Sequence, residues 1–162
     1  MGELTYRAAK VGDARAILTV KQAAISAIDG DEYTARQLDA WRPDDDLVDD
    51  FGRAIESNHY EILLVESGPA TAAYGVLNTQ ENRIDAVFVH PDYHGEGIGS
   101  SLVSQFESRA RISGLSELQI ASSLTAREFY ETLGYRDVGR KRREINGTVL
   151  TFAIMRKVFD SV

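Results

Sequence analysis

Apolar and polar residues alternate from Leu4 to Ala8, which predicts a first strand. The period then lengthens. Ile17, Val20, Ala24 and Ile28 fall on one face of a helix that Asp13 can cap. Thr34 and Gln37 make a capping-box pair for a short helix that carries Leu38 and Trp41 and stops before Pro43. A third helix starts near Asp45, with Leu47, Val48, Phe51 and Ile55 on one side. The period then shortens again. Glu61 to Ser67 and Thr71 to Thr79 are strands joined by a turn at Gly68-Pro69, and Asn82 to Val89 is a third after another short turn. A glycine-rich loop leads into a helix with the stripe Ile98, Leu102, Val103, Phe106 and Ala110, ended by Gly114. Glu117 to Ala121 is a strand. Thr125 to Leu133 is a helix with a Thr125–Glu128 capping box, Leu124 and Phe129 at staple positions, and Gly134 as its stop. On its face Ala126, Phe129, Tyr130 and Leu133 form one stripe, with Phe129 expected in the core. Two last strands, Tyr135 onward and Val149 to Val158, hinge at Asn146-Gly147, a strong hairpin signal.

The strands meander except around the glycine loop, where strand, helix and strand follow one another. This layout predicts a mixed α+β fold with about seven strands, mostly antiparallel, and flanking helices. No repeat, low-complexity tract or linker interrupts it, so residues 1–162 are expected to form a single domain.

The loop carries the chemistry. After the apolar strand Val87-Phe88-Val89 comes His90-Pro91-Asp92-Tyr93-His94-Gly95-Glu96-Gly97-Ile98-Gly99-Ser100. Glycines at a strand-to-helix junction bare backbone N–H groups at the positive end of a helix dipole, which is a seat for phosphate. A P-loop needs a lysine before its Ser or Thr, and Gly97-Ile98-Gly99-Ser100-Ser101 has none. A dinucleotide fingerprint needs a third glycine where Ser100 stands. Glu117 lies where its ribose-binding acid would be, but too little chain follows for further strand–helix–strand units. A mere tight turn does not require three alternating glycines.

Composition narrows the field. The chain has no cysteine, which excludes disulfides, thiolate metal sites and a cysteine nucleophile, and fits a reducing cytoplasm. With three histidines, His59, His90 and His94, no metal site is expected. A net charge of −7 argues against nucleic-acid binding and is compatible with a cationic partner such as an amine. Neither a membrane span nor a signal peptide is predicted.

His94-Gly95-Glu96-Gly97-Ile98-Gly99, preceded by Val89-His90-Pro91, resembles the Gln/Arg-x-x-Gly-x-Gly/Ala motif of the GNAT superfamily of acyl-CoA-dependent N-acetyltransferases, with His94 where Gln or Arg is usual. Downstream, Ser123-Leu124-Thr125-Ala126-Arg127-Glu128-Phe129-Tyr130-Glu131-Thr132-Leu133-Gly134-Tyr135 resembles the family's Asn-x-x-Ala-x-x-Phe-Tyr-x-x-x-Gly-Phe/Tyr element, with Ser123 in place of Asn. The resemblance spans nearly the whole chain and is best over residues 82 to 158. It implies a three-layer fold whose sheet is splayed at the strand that precedes the glycine loop.

The resemblance also implies acetyl-CoA as cosubstrate. Its pyrophosphate would sit on N–H groups from Gly95 to Ser100, with Glu96 turned away. Val87, Phe88 and Val89 would be a main-chain rail for the pantetheine arm and the thioester oxyanion, and Ser123 a further hydrogen-bonding group. Tyr130 matches the family's frequent general acid, against a reading as core packing. Asp85, expected to share a strand face with Val87 and Val89, is the candidate base, with Glu81 behind it. Equally, Asp85 is a strand-end carboxylate paired with Arg83. Tyr33 and Trp41 lie where the family builds its acceptor wall. The run Asp44, Asp45, Asp46, Asp49 and Asp50 reads as a helix N-terminus, and Arg140-Lys141-Arg142-Arg143 as a solvated edge strand. The expected activity is acetyl transfer to a small-molecule or peptide amine, with a homodimer frequent in such families. The alternative is an acyl-CoA-binding sensor without turnover.

Overall fold

The computed structural model describes residues 3–160. Seven strands form one sheet in the order β1-β2-β3-β4-β5-β7-β6. They are β1 (Leu4–Ala8), β2 (Tyr60–Ser67), β3 (Ala70–Asn78), β4 (Arg83–Val89), β5 (Glu117–Ser123), β6 (Arg136–Ile145) and β7 (Thr148–Val158). All neighbours are antiparallel except β4 and β5. The hairpin at Asn146-Gly147 forms as its sequence demands, both residues having positive φ, 50° and 80°. Among the described residues no helix is long and apolar enough to cross a membrane.

Helices cover both faces, as one-sided apolar stripes require. On one face lie α1 (Ala14–Ser26), α2 (Ala35–Trp41) and α3 (Val48–Glu56). There Ile17 and Val20 pack with Leu64 and Tyr74, and Phe51, Ala86 and Phe88 close the cluster. On the other face lie α4 (Ile98–Ile112) and α5 (Arg127–Thr132), over a core that includes Ile84, Leu102, Phe106, Ile120 and Met155.

Two expected helix starts differ. Asp13 does not cap α1. Its carboxylate takes bonds from Arg7 (2.8 and 2.9 Å) and from the Lys10 N–H (2.7 Å), because a guanidinium is the stronger donor. The helix ends at Ser26, so Ile25 rather than Ile28 completes its buried side. Nor does the Thr125–Glu128 box form. The α5 start is held instead by Ser123 Oγ, which accepts from the Ala126 N–H at 3.2 Å. The Thr34–Gln37 box is present in both directions, at 3.1 and 2.9 Å.

Gly75, mid-strand in β3, sits under Phe106. A Cβ there would lie 2.7 Å from Phe106 Cε2 and 3.1 Å from Cζ. Phe106 is fully buried and has nowhere to move. Gly75→Ala is expected to cost about 1–3 kcal/mol of stability, read as a lower urea midpoint at unchanged slope.

Candidate active site

The loop after β4 is built backwards onto the strand it leaves. His90 Nδ1 accepts from the Asp92 N–H (3.1 Å), which turns the chain at Pro91. His94 Nε2 lies 3.0 Å from the Val89 carbonyl, so that nitrogen carries the proton and donates. Gly95 and Gly97 then adopt left-handed conformations, with φ of 81° and 76°. A Cβ at either would meet nothing within 4 Å, so it is the backbone angle, not crowding, that calls for glycine. Among the described residues, no N–H group from Gly95 to Ser100 has a protein acceptor. Ser101 is the first to find one, Gly97 O at 3.0 Å. Six donors thus stand free at the positive end of a 15-residue helix. Glu96 is exposed.

Beside the loop the sheet opens. β4 and β5 are paired only at Arg83↔Gln119 and Ile84↔Ile120, and then diverge. The other edge of β4 stays bonded to β3, and the His90 N–H reaches Ala72 O at 2.8 Å. Strand alternation therefore turns the N–H and C=O groups of Val87 and Val89 toward the gap, and those of Phe88 toward β3. The Val89 carbonyl is already taken by His94. Phe88 contributes its ring rather than its main chain.

A cavity of about 500 Å³ runs through this opening. Val87, Ser123 and Tyr130 line it, together with Trp41, Phe88 and Phe152. The Trp41 ring centroid lies 5.8 Å from that of Phe88 and 5.5 Å from that of Phe152. Tyr33 does not line the cavity, contrary to the expected acceptor-wall role. It is buried, its hydroxyl donates to Thr151 O (2.6 Å) and accepts from the Leu124 N–H (3.0 Å), and it backs Trp41 at 5.9 Å.

Tyr130 is 5% exposed, its ring against Phe129 and Tyr135 at 5.0 and 6.2 Å. Its hydroxyl has no protein partner among the described residues, and burial pushes the phenol pKa above its ordinary value. Phe129, expected in the core, is instead 38% exposed and flanks the loop. A Cβ on Gly99 would touch Phe129 Cζ at 3.2 Å. The short α5 turns Tyr130 inward and leaves its neighbour on the rim.

Asp85 reaches the cavity, but not on the face of Val87. The register Val76↔Ala86 and Leu77↔Ile84 leaves Asp85 as an extra, bulged residue. Ile84, Val87 and Val89 therefore pack under α4, while Ala86 and Phe88 pack toward α1. The Asp85 carboxylate accepts from Arg83 Nε (2.5 Å) and Asn78 Nδ2 (3.1 Å). This engagement raises the Arg83 pKa and leaves the Asp85 carboxylate bonded to two donors. Glu81 is exposed and off the wall.

The wall also holds cations that motif reading passed over: Lys21, Arg83, Lys141 and Arg143. Of the basic run on β6, Lys141 and Arg143 line the cavity, while Arg140 pairs with Asp137 (2.6 Å). Lys21 was detectable in the pattern. Its helical neighbours Ile17, Leu18, Ala24 and Ile25 are all apolar, which is unusual company for a solvent lysine. Burial, with help from the Arg143 charge, pulls its pKa down to about 8. The acidic residues 44–50 stay off the wall, and Asp45 instead takes a bond from Gln22 (2.9 Å).

Residues 30–159 match the family described as acetyltransferase (GNAT) domain. The chain is 25% identical over 156 residues to YafP, an uncharacterised N-acetyltransferase of Escherichia coli K12, covering 96% of this chain and 97% of that one. Its fold is similar to that of a GCN5-related N-acetyltransferase from Rhodopseudomonas palustris, with a TM-score of 0.89, 26% identity and 98% of both chains covered. At 19% identity and a TM-score of 0.68 it shares its fold with yncA of Salmonella typhimurium, solved with its cofactor acetyl-CoA, over 99% of this chain and 96% of that one.

Proposed function

The chain belongs to the GNAT acetyltransferase family, and we propose that it transfers the acetyl group of acetyl-CoA to a primary amine by direct attack. One observation carries the reading. Six N–H groups, at Gly95 to Ser100, have no partner among the described residues and stand beside an opened sheet edge that leads to an aromatic cavity.

The six N–H groups take the pyrophosphate, because donors fixed at a helix N-terminus need no reorganisation to meet an anion. The freed N–H and C=O of Val87 and the N–H of Val89 hold the pantetheine arm where a β5 partner would otherwise lie. An N–H there stabilises the oxyanion that forms when the amine nitrogen attacks the thioester carbon. His94 keeps that rail and the loop in one rigid piece.

Tyr130 acts on the leaving group. Its hydroxyl stays protonated at working pH, has no competing partner among the described residues, and donates to the sulfur as the C–S bond breaks. Asp85 is spent on Arg83 and Asn78, so the amine attacks in its neutral fraction and its proton leaves through solvent. Trp41, Phe88 and Phe152 exclude water around the acceptor.

A panel of primary amines tests the proposal through release of free CoA. Turnover of at least one class at a rate well above thioester hydrolysis is expected. Tight acetyl-CoA binding with no turnover of any amine would instead favour a sensor without catalysis.

A further inference from the structure

We propose that the acceptor is a small amine that also carries a carboxylate, which docks between Lys21 and Arg143; this rests on the acetyl-transfer reading above. Four cationic side chains line the cavity, Lys21, Arg83, Lys141 and Arg143, against one carboxylate, Asp85. Asp85 is already neutralised by Arg83. Lys21, Lys141 and Arg143 have no ion-pair partner among the described residues. A positive wall inside a chain of net charge −7 is a local feature that bulk charge hides and even inverts.

The two cations are aimed. The Lys21 ammonium lies 5.6 Å from the Phe88 ring centroid and 5.7 Å from that of Phe51. The Arg143 guanidinium lies 5.9 Å from the Phe152 ring centroid. Phe88 and Phe152 are the cavity-lining rings that flank Trp41, so the charges stand on either side of one aromatic floor. Holding an ammonium in apolar surroundings without an anion is unfavourable, and a nearby guanidinium makes it worse. The lowered pKa of Lys21 reflects both strains. A carboxylate between them relieves both, with charge-assisted bonds and a planar match to the guanidinium.

CoA itself does not supply this anion. Its phosphates have their seat at the glycine loop, whereas Lys21 comes from α1 on the opposite face of the sheet. With its carboxylate at Lys21 and Arg143, an amino acid would extend its amine toward Val87 and Tyr130, which line the same cavity and belong to the core on the α4 face of the sheet. A polyamine would bring positive charge against positive charge.

The test is a panel of α- and ω-amino acids, each beside its carboxamide, with putrescine as a carboxylate-free amine. Free CoA release gives kcat/KM, and Trp41, the sole tryptophan, reports binding by fluorescence. Amino acids are expected to exceed their carboxamides by about 10- to 100-fold in kcat/KM. Lys21→Met and Arg143→Met should each raise the amino-acid KM by about 10-fold and leave the acetyl-CoA KM unchanged. Arg142→Ala, next in sequence but off the cavity wall, should alter neither. Carboxamides or putrescine used equally well, or indifference to both Met variants, would overturn the proposal while leaving acetyl transfer intact. Should no amine turn over, the acetyl-transfer reading fails, and Trp41 still decides this one. A response to amino acids but not to carboxamides supports the anion site, and an equal or absent response overturns it.

Discussion

Tyr130→Phe is expected to lower kcat by about 100-fold with acetyl-CoA affinity unchanged, the usual loss when a positioned acid is removed. The substitution is clean. The ring is buried between Phe129 and Tyr135, and its hydroxyl bonds to no described residue, so the fold keeps every contact it has. The pH dependence carries a sign. Burial raises the phenol pKa above its ordinary value, so the hydroxyl remains protonated across neutral and mildly alkaline pH. The ratio of wild-type to variant kcat should therefore be flat from about pH 6 to 9, since Tyr130 changes protonation only above its ordinary pKa of roughly 10. A wild-type rate equal to that of the variant would remove Tyr130 from the chemistry. A ratio that collapses as pH rises through 8 would mean that some other group supplies the proton.

Gly97→Val is expected to weaken acetyl-CoA binding by about 100-fold, measured by calorimetry. Gly97 opens α4 at φ 76°, where a β-branched residue is strained by roughly 1–2 kcal/mol. Relief of that strain rotates the adjoining peptide groups and misaligns N–H donors, each worth about 1.5–3 kcal/mol toward a charged ligand. Gly68→Val is the matched control. Gly68 also has positive φ (59°), in the β2–β3 turn, and it lies off the cavity wall. It should lower stability and leave the acetyl-CoA Kd alone. Equal effects of the two substitutions on Kd would show that the loss at Gly97 is general destabilisation and not a broken phosphate seat.

Much of this was legible in the chain. The Asn146-Gly147 hairpin, the Thr34–Gln37 box and the stripe of α4 follow from local rules, because turn dihedrals, caps and helical periodicity are set by residues a few positions apart. The free donors at Gly95 to Ser100 also follow, since glycine at a strand–helix junction is a local requirement. Where the reading failed, a distant partner had intervened. Asp13 has the composition of a helix cap, yet Arg7 on β1 holds its carboxylate. Asp85 was assigned a face by counting in twos, and the bulge against Val76 and Leu77 reset the count. Tyr33 stands where an acceptor wall is expected, but Thr151 and Leu124 consume its hydroxyl.

The sequence by itself determined the elements, the glycine loop with its free N–H donors and the family, all of which rest on interactions short along the chain. The tertiary structure alone decided the charge that lines the cavity. Lys21 from α1 and Arg143 from β6 are more than a hundred residues apart, and only the sheet order and its opening after Ile84 bring them to the same cavity as Tyr130. Charge acts through space rather than along the chain. A net negative composition could therefore point toward cationic acceptors while the folded cavity presents the opposite sign.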